Sequence, residues 1–538
     1  MTAVADAGAR HEPAVAASVR ELHSAMVLEP AGRVTPSVYE TGRVVADAPW
    51  LTGHDRRLRY LLDTQRADGG WGGPSGYAVV PTASAVEALL GTLRDGRAAD
   101  PDGLASAAGR GLGVLADWLG QGTSLPDTPA ADLIVPALVQ RINYQLAFFA
   151  ARGDRWFADG PGAIAGVDRR RIDAVHALVA SGRPVPQKLV HAFEVLGPAA
   201  YRHAGVSPVA GAIGASPAAT AAWLGDPATP GADPEVLAYL RAAVGPLDGP
   251  VPCTTPITVF ERAWTLSNLV RAGVPLRPAP KLIAELVAAL GPQGVATGPG
   301  LPADADTTSV ALYVLARLGH PVDPASLLLF DTGTHFCTWR GEDGRSVTTN
   351  AHVLEALGWH ARHTAAGASR YAGRVPALAG WLADEQQPDG CWADRWHASP
   401  YYATACVVTA LDRYAPADIA GPAVDRAIDW LVASQRADGT WGRFAGTVEE
   451  TAYALHVLLG TRRSVRPGVA EAIARGFPQL AEVDDRHEHP PLWHDKDLYT
   501  PVLIVRAAVL GVRQLAVARD DLVSNVDRPP LRTCTAVT

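Results

Sequence analysis

The sequence predicts an all-α protein, and three observations carry that reading. Apolar residues recur at helical spacing, strand-like alternation is scarce, and 52 glycines and 43 prolines punctuate the intervals between runs. In chain order, Ala14–Val27, Asp304–Leu318, Ser346–Leu357, Ala423–Ser434 and Thr447–Leu459 each place apolar residues at helical intervals. A chain of 538 residues is too long for one core, so two substantial domains are expected.

Composition excludes several functions. The chain is 48% hydrophobic and 19% charged, which rules out a disordered polymer. Lys and Arg total 47 against 55 Asp and Glu, a net charge of −8, so no basic surplus exists to release counterions from a nucleic acid, and none is expected as a partner. Cys253, Cys337, Cys391, Cys406 and Cys534 form no CxxC pair and write neither a disulfide framework nor a zinc cluster. Met1 to Arg20 is charged from the start and has no apolar signal core, so a cytoplasmic protein is expected. No stretch approaches the roughly 18 uninterrupted apolar residues of a transmembrane segment.

A repeat organises the chain. Tyr60-Leu61 is followed by Gln65, Asp68, Gly69 and Trp71; Trp381-Leu382 by Gln386, Asp389, Gly390 and Trp392; Trp430-Leu431 by Gln435, Asp438, Gly439 and Trp441. The Asp-Gly turn ends a helix, Gln can bond exposed backbone, and Trp can pack over the junction, so each copy reads as a staple between helices. One copy in the first half and two in the second point to two related helical domains.

These repeats resemble the QW motifs of class II terpene cyclases, the superfamily of squalene–hopene and labdane-type diterpene cyclases. Further similarities lie at Ser37-Val38-Tyr39-Glu40-Thr41, Ser216-Pro217 with Thr220-Ala221, Phe260-Glu261 with Trp264, Asp304-Ala305-Asp306-Thr307-Thr308, Trp396 with Tyr401-Tyr402, and Pro491-Leu492-Trp493 with Lys496, Leu498 and Tyr499. Their order is similar to that in bacterial diphosphate-retaining members such as terpentedienyl, halimadienyl and ent-copalyl diphosphate synthases. The resemblance implies two α/α barrels, β and γ. Residues 1–35 and 241–520 would form β, residues 36–240 an inserted γ, and 521–538 a disordered tail.

Asp304 and Asp306 follow Pro302 and open an apolar helical run, where acids ordinarily cap free N–H groups. Two acids this close in a dry pocket cannot both ionise cheaply, so one would keep a proton. By resemblance to the family's DxDD motif, Asp306 matches the proton donor to an alkene and Asp304 its support, while Thr307 replaces the last acid. Asn350 stands where related cyclases can carry an Asn touching the middle acid; it reads equally as a polar helix-start residue. His352 is read as a packing or polar side chain.

A carbocation needs walls that stabilise charge without attacking it, and aromatic faces do so. Trp264, Phe336, Trp339, Trp396, Tyr401, Tyr402 and Trp493 are the substrate-pocket candidates. Only three lysines occur, Lys188, Lys281 and Lys496. Lys496, where the family has a matching Lys, is the candidate grip for a diphosphate, with a solvated lysine near Asp495 and Asp497 as the alternative and Lys188 as a second candidate. Asp132 matches an acidic γ-domain position and is the candidate contact for Mg²⁺ bound with the diphosphate. Asp484-Asp485-Arg486-His487-Glu488 imitates a class I metal motif, and His487, His489 and His494 a zinc set; prolines and loop context argue against both.

The implied activity is protonation-initiated bicyclisation of a linear prenyl diphosphate, geranylgeranyl diphosphate first, to a decalin-type product with the diphosphate retained. Farnesyl diphosphate cyclisation to a drimenyl-type product is the alternative. A squalene–hopene type cyclase or a noncatalytic helical scaffold follows behind.

Overall fold

Six helices, Thr258–Arg271, Ala305–Arg317, Val347–His363, Pro400–Tyr414, Val448–Gly460 and Val502–Ala518, pack each on the next, and the last returns to the first. They are buried on most sides, as helices covered from both within and without must be. Thr2–Leu28, Pro280–Ala289, Arg374–Asp384 and Ala417–Ala433 pack around them, completing an α/α barrel. The computed structural model describes residues 2–157, 160–229, 231–342, 344–461, 466–481, 483–484 and 487–519, with side chains from Val15 onward except that of Arg155. The expected tail, and Asp485 and Arg486 of the metal-motif imitation, lie outside the described residues.

A second ring is built from Val38–Asp47, Val79–Arg94, Ala131–Arg152, Gln187–Ala200 and Pro217–Leu224, again closing on itself. Its core runs from Val38 to Ala219, whereas the first barrel's core joins Val15–Val34 to residues between Cys253 and Ala516. Ser75–Arg94 and Ala131–Arg152 have the length and apolarity to cross a membrane, but 89% and 56% of their apolar windows are buried in the protein. Their apolar surface serves the ring.

The three Trp repeats are the same device. In each, the indole N–H donates to a carbonyl ten residues back: Trp71 to Leu61 at 2.6 Å, Trp392 to Leu382 at 2.8 Å, Trp441 to Leu431 at 2.8 Å. Each Gln amide bridges its own Gly carbonyl to one on the neighbouring outer helix, Ala107, Ala423 or Ala472, at 2.7–2.9 Å. Its oxygen accepts from Arg110, Arg426 or Arg475 of that helix. Gly69, Gly390 and Gly439 adopt φ of +94°, +105° and +86° against the carbonyl of the same arginine, where a Cβ would be crowded at Gly69 and would collide at the other two.

Two short antiparallel ladders place chemistry. Val295–Ala296 pairs with Ala303–Asp304 and delivers Asp304 to a helix start; Trp493–His494 pairs with Leu498–Tyr499 and presents Asp495-Lys496-Asp497 as a tight loop.

Candidate active site

Asp304 ends its strand with φ −128° and ψ 155° and caps the Ala305–Arg317 helix, accepting from the Thr307 amide at 2.5 Å and the Thr297 hydroxyl at 3.0 Å. The Thr307 hydroxyl lies 2.9 Å from that of Thr297, so the residue replacing the last acid joins the first acid's hydrogen-bond network. Burial pushes Asp304 up to about 7, against the pull of the Thr307 amide and with help from the Asp306 charge.

Asp306, two residues on, leaves the cap and points to another side of the helix. Its side chain is 14% accessible, and Oδ1 lies 2.6 Å from Nδ1 of His352 on the adjacent inner helix. Burial raises the Asp306 carboxyl well above the carboxylate range, Asp394 adds to the rise, and Arg271 opposes it. Burial therefore outweighs the helix dipole, which favours the ionised form. The His352 imidazole is driven down to about 3 by burial and then by Arg271, so it is neutral. Its Nε2 is buried without a hydrogen-bond partner. A bare lone pair there costs less than an orphaned N–H, which puts the ring proton on Nδ1 and makes it the donor to Asp306 Oδ1. The Asp306 proton is then left to Oδ2.

This arrangement corrects two expectations. Asn350 does not reach the acid: Oδ1 accepts from the Phe336 amide at 2.7 Å, and Nδ2 donates to the carbonyls of Phe336 and Ser346 at 2.9 and 2.8 Å. It fixes the Phe336 segment to a helix start. His352, set aside in the sequence, is the acid's partner instead. Asp394 also escaped sequence reading; it accepts from Ser346, Thr348 and the Trp396 amide and places a second negative charge near Asp306.

The aromatic candidates divide. Trp264 meets the His352 ring edge-on at 5.5 Å and donates its indole N–H to the Tyr402 hydroxyl at 2.9 Å; Tyr402 lies 4.8 Å from Trp493. Phe260, His397 and Tyr453 close around them, and sequence reading singled out none of these three as a pocket wall. Within this cluster Glu449 is fully buried, accepts from Trp493, Tyr453 and His397 through Oε1, and leaves Oε2 without a partner. Phe336 is buried, and Trp339 stands edge-on to Trp396 at 5.1 Å, both half-buried. Tyr401 turns the other way and packs on Trp430 of the outer layer at 4.7 Å, because adjacent helical positions cannot face the same side.

Lys496 likewise stands elsewhere than expected. Its ammonium is fully buried between the barrels, paired with Glu40 and, at 2.9 Å, Glu194, and donates to Ser216 at 2.8 Å and the His191 carbonyl at 2.9 Å. Burial alone would lower it, but Glu194 and Glu40 hold it above its ordinary value; burial meanwhile lifts Glu40 to about 7. The void bordering this loop is about 10 Å³, room for at most a water and none for a diphosphate. Asp132 is half-exposed and paired with Arg171, and among the described residues no group of three or more His, Cys, Asp or Glu converges to hold a metal. The donor set therefore does not fit a resident Mg²⁺. Lys188 is exposed, and His494 bonds the Arg395 carbonyl and packs on Tyr77.

Asp306 is thus a carboxylic acid held mostly out of water, hydrogen-bonded by a neutral imidazole that packs on an aromatic cluster inside one of two α/α barrels, an arrangement suited to giving a proton to an apolar substrate. Residues 342–464 match the squalene-hopene cyclase C-terminal domain. Over 504 residues, 93% of this chain and 95% of the other, the sequence is 43% identical to ent-copalyl diphosphate synthase of Streptomyces sp. (strain KO-3988). It is 42% identical to labda-7,13-dienyl diphosphate synthase of Streptomyces clavuligerus, covering 90% of each chain. The solved ent-copalyl diphosphate synthase of Streptomyces platensis superposes with a TM-score of 0.85 at 42% identity, covering 94% of this chain and 99% of that one. The chain belongs to the bacterial class II diterpene cyclases.

Proposed function

We propose that Asp306 Oδ2 protonates the terminal alkene of geranylgeranyl diphosphate, and that the folded chain closes to a decalin and loses a proton with the diphosphate intact. The observation that carries this reading is the Asp306–His352 hydrogen bond beside the Trp264–Tyr402–Trp493 cluster. The N–H from His352 supports the carboxylate left behind, which strengthens the acid without supplying the proton. Ring faces stabilise the cation, and the burial of Trp264, Tyr402 and Trp493 limits the access of water. The names of the relatives, ent-copalyl and labda-7,13-dienyl diphosphate synthase, favour the geranylgeranyl substrate over the farnesyl one.

On this reading, residues 1–35 and 241–520 form the acid-bearing domain, residues 36–240 the inserted one, and the enzyme works in the cytoplasm. Any Mg²⁺ requirement belongs to the diphosphate, since Asp132 alone offers the ion little. The test is to incubate the purified protein with geranylgeranyl or farnesyl diphosphate, treat with phosphatase and identify the alcohols. A bicyclic product from the geranylgeranyl substrate, and none from a folded Asp306→Asn variant, is expected. Unchanged substrates, or full activity in the variant, would overturn the proposal.

A further inference from the structure

The second barrel holds a cavity of about 870 Å³ that the cyclisation does not use. It opens at the C-terminal ends of Val38–Asp47, Val79–Arg94 and Pro217–Leu224; Ser37 and Tyr39, at the opposite end of the first of these helices, bond Asp497 at the junction with the other barrel. Gln145 lines it and is 2% exposed. Its NH₂ group donates to the Glu87 carbonyl at 3.3 Å and carboxylate at 2.9 Å, which fixes the orientation of the amide. Oε1 is thereby committed as an acceptor, and it is buried without a partner. Asp47, which also lines the cavity, sets Oδ1 3.5 Å from Arg141 and leaves Oδ2 buried and unpartnered.

The four arginines on the lining are engaged by three carboxylates, Asp95, Asp173 and Asp47. Arg94 and Arg97 pair with Asp95 at 2.9 and 3.5 Å, Arg169 pairs with Asp173 at 3.0 Å, and Arg141 also donates to the Glu194 carbonyl at 2.9 Å. Gln145 Oε1 and Asp47 Oδ2 are acceptors in want of donors, His54 on the cavity lining adds two unpartnered ring nitrogens, and the carbonyl ends of three helices add negative potential. Tyr144 and Tyr201, 68% and 41% exposed, also line the cavity; Arg202 lies 5.4 Å from the Tyr201 ring, so Tyr144 offers ring surface to a cation and both offer it to an aliphatic stem.

We propose that this cavity binds an organic ammonium, a primary amine that donates to Gln145 Oε1 and Asp47 Oδ2 and lays its aliphatic stem along the tyrosines. Gly91 supplies a clean probe. A Cβ there would lie 3.6–3.7 Å from the Gln145 amide, an ordinary contact, so Gly91→Ala covers the acceptor without strain and puts a better helix former in a helix.

The experiment is calorimetric titration of the full chain with putrescine, alongside inorganic pyrophosphate. Saturable putrescine binding is expected, weakened at least about tenfold, equivalent to about 1.4 kcal/mol, by Asp47→Asn and by Gly91→Ala. Cyclisation rate and thermal midpoint should be undiminished in Gly91→Ala, which decides the matter should Asp47→Asn fail to fold. No saturable binding to the wild type, wild-type affinity in a folded variant, or displacement of the amine by pyrophosphate would overturn the proposal.

Discussion

Nδ1 of His352 lies 2.6 Å from Oδ1 of Asp306, joining two neighbouring inner helices at the one acid of the motif that is not occupied in capping its own helix. The histidine gives an N–H to the base form while its own affinity for protons is suppressed by burial. On the proposed mechanism it is a positioning residue whose effect falls on proton transfer.

His352→Phe keeps a ring against Trp264 and removes the donor. We expect kcat to fall about 10²-fold, the usual magnitude for one preorganised donor, with KM little changed. Steady-state kinetics with product quantitation checks this. A parallel rise in KM with kcat unchanged would assign the residue to binding.

Asn350→Ala should behave differently. It leaves the Phe336 amide and carbonyl without their buried partner, at a cost of about 1–3 kcal/mol to stability. Urea denaturation should show the loss, while turnover per folded molecule falls less than in His352→Phe.

The acids predict a one-sided pH profile. Asp304 sits near 7 and Asp306 is raised as well, both above the unfolded carboxylate range. The stability each contributes by holding its proton is fully present below about pH 4 and is lost as pH rises through the folded value. On the proposed mechanism turnover needs the Asp306 proton, so kcat should fall as pH rises through the raised Asp306 value, approaching roughly tenfold per unit. His352 remains neutral down to about 3 and adds no limb between these limits. Initial rates from about pH 5 to about 9 test this, and a rate that climbs across that range would refute it.

Removing the buried ammonium is predicted to be costly. Lys496→Met leaves Glu40 and Glu194 facing each other without their cation, a loss of about 3–5 kcal/mol. Adding Glu194→Gln should recover part of it. Both are read from denaturation midpoints.

Much of this was legible in the sequence because it was local. Gln, Gly and Trp at fixed offsets announce each staple, and the Asp304 cap follows from its place before an apolar helical run. Asn350 and His352 are harder: two residues apart on a helix, they point about 200° from one another, and sequence cannot say which faces the acid. The Tyr401 and Tyr402 pair fails for the same reason. The scarcity of lysine marked Lys496 as important, but its partners Glu40, Glu194 and Ser216 are hundreds of residues away along the chain. Spatial convergence alone turns a presumed diphosphate grip into a bolt between barrels.

The Trp repeats fasten the barrel through backbone carbonyls and an outer-layer arginine, and their Gln and Arg side chains lie outside the ring's lumen. The hoop holds its shape from its rim, independently of what lines its bore. Side chains facing inward can therefore be exchanged to fold a prenyl chain differently without loosening the vessel, so one architecture can yield many carbon skeletons.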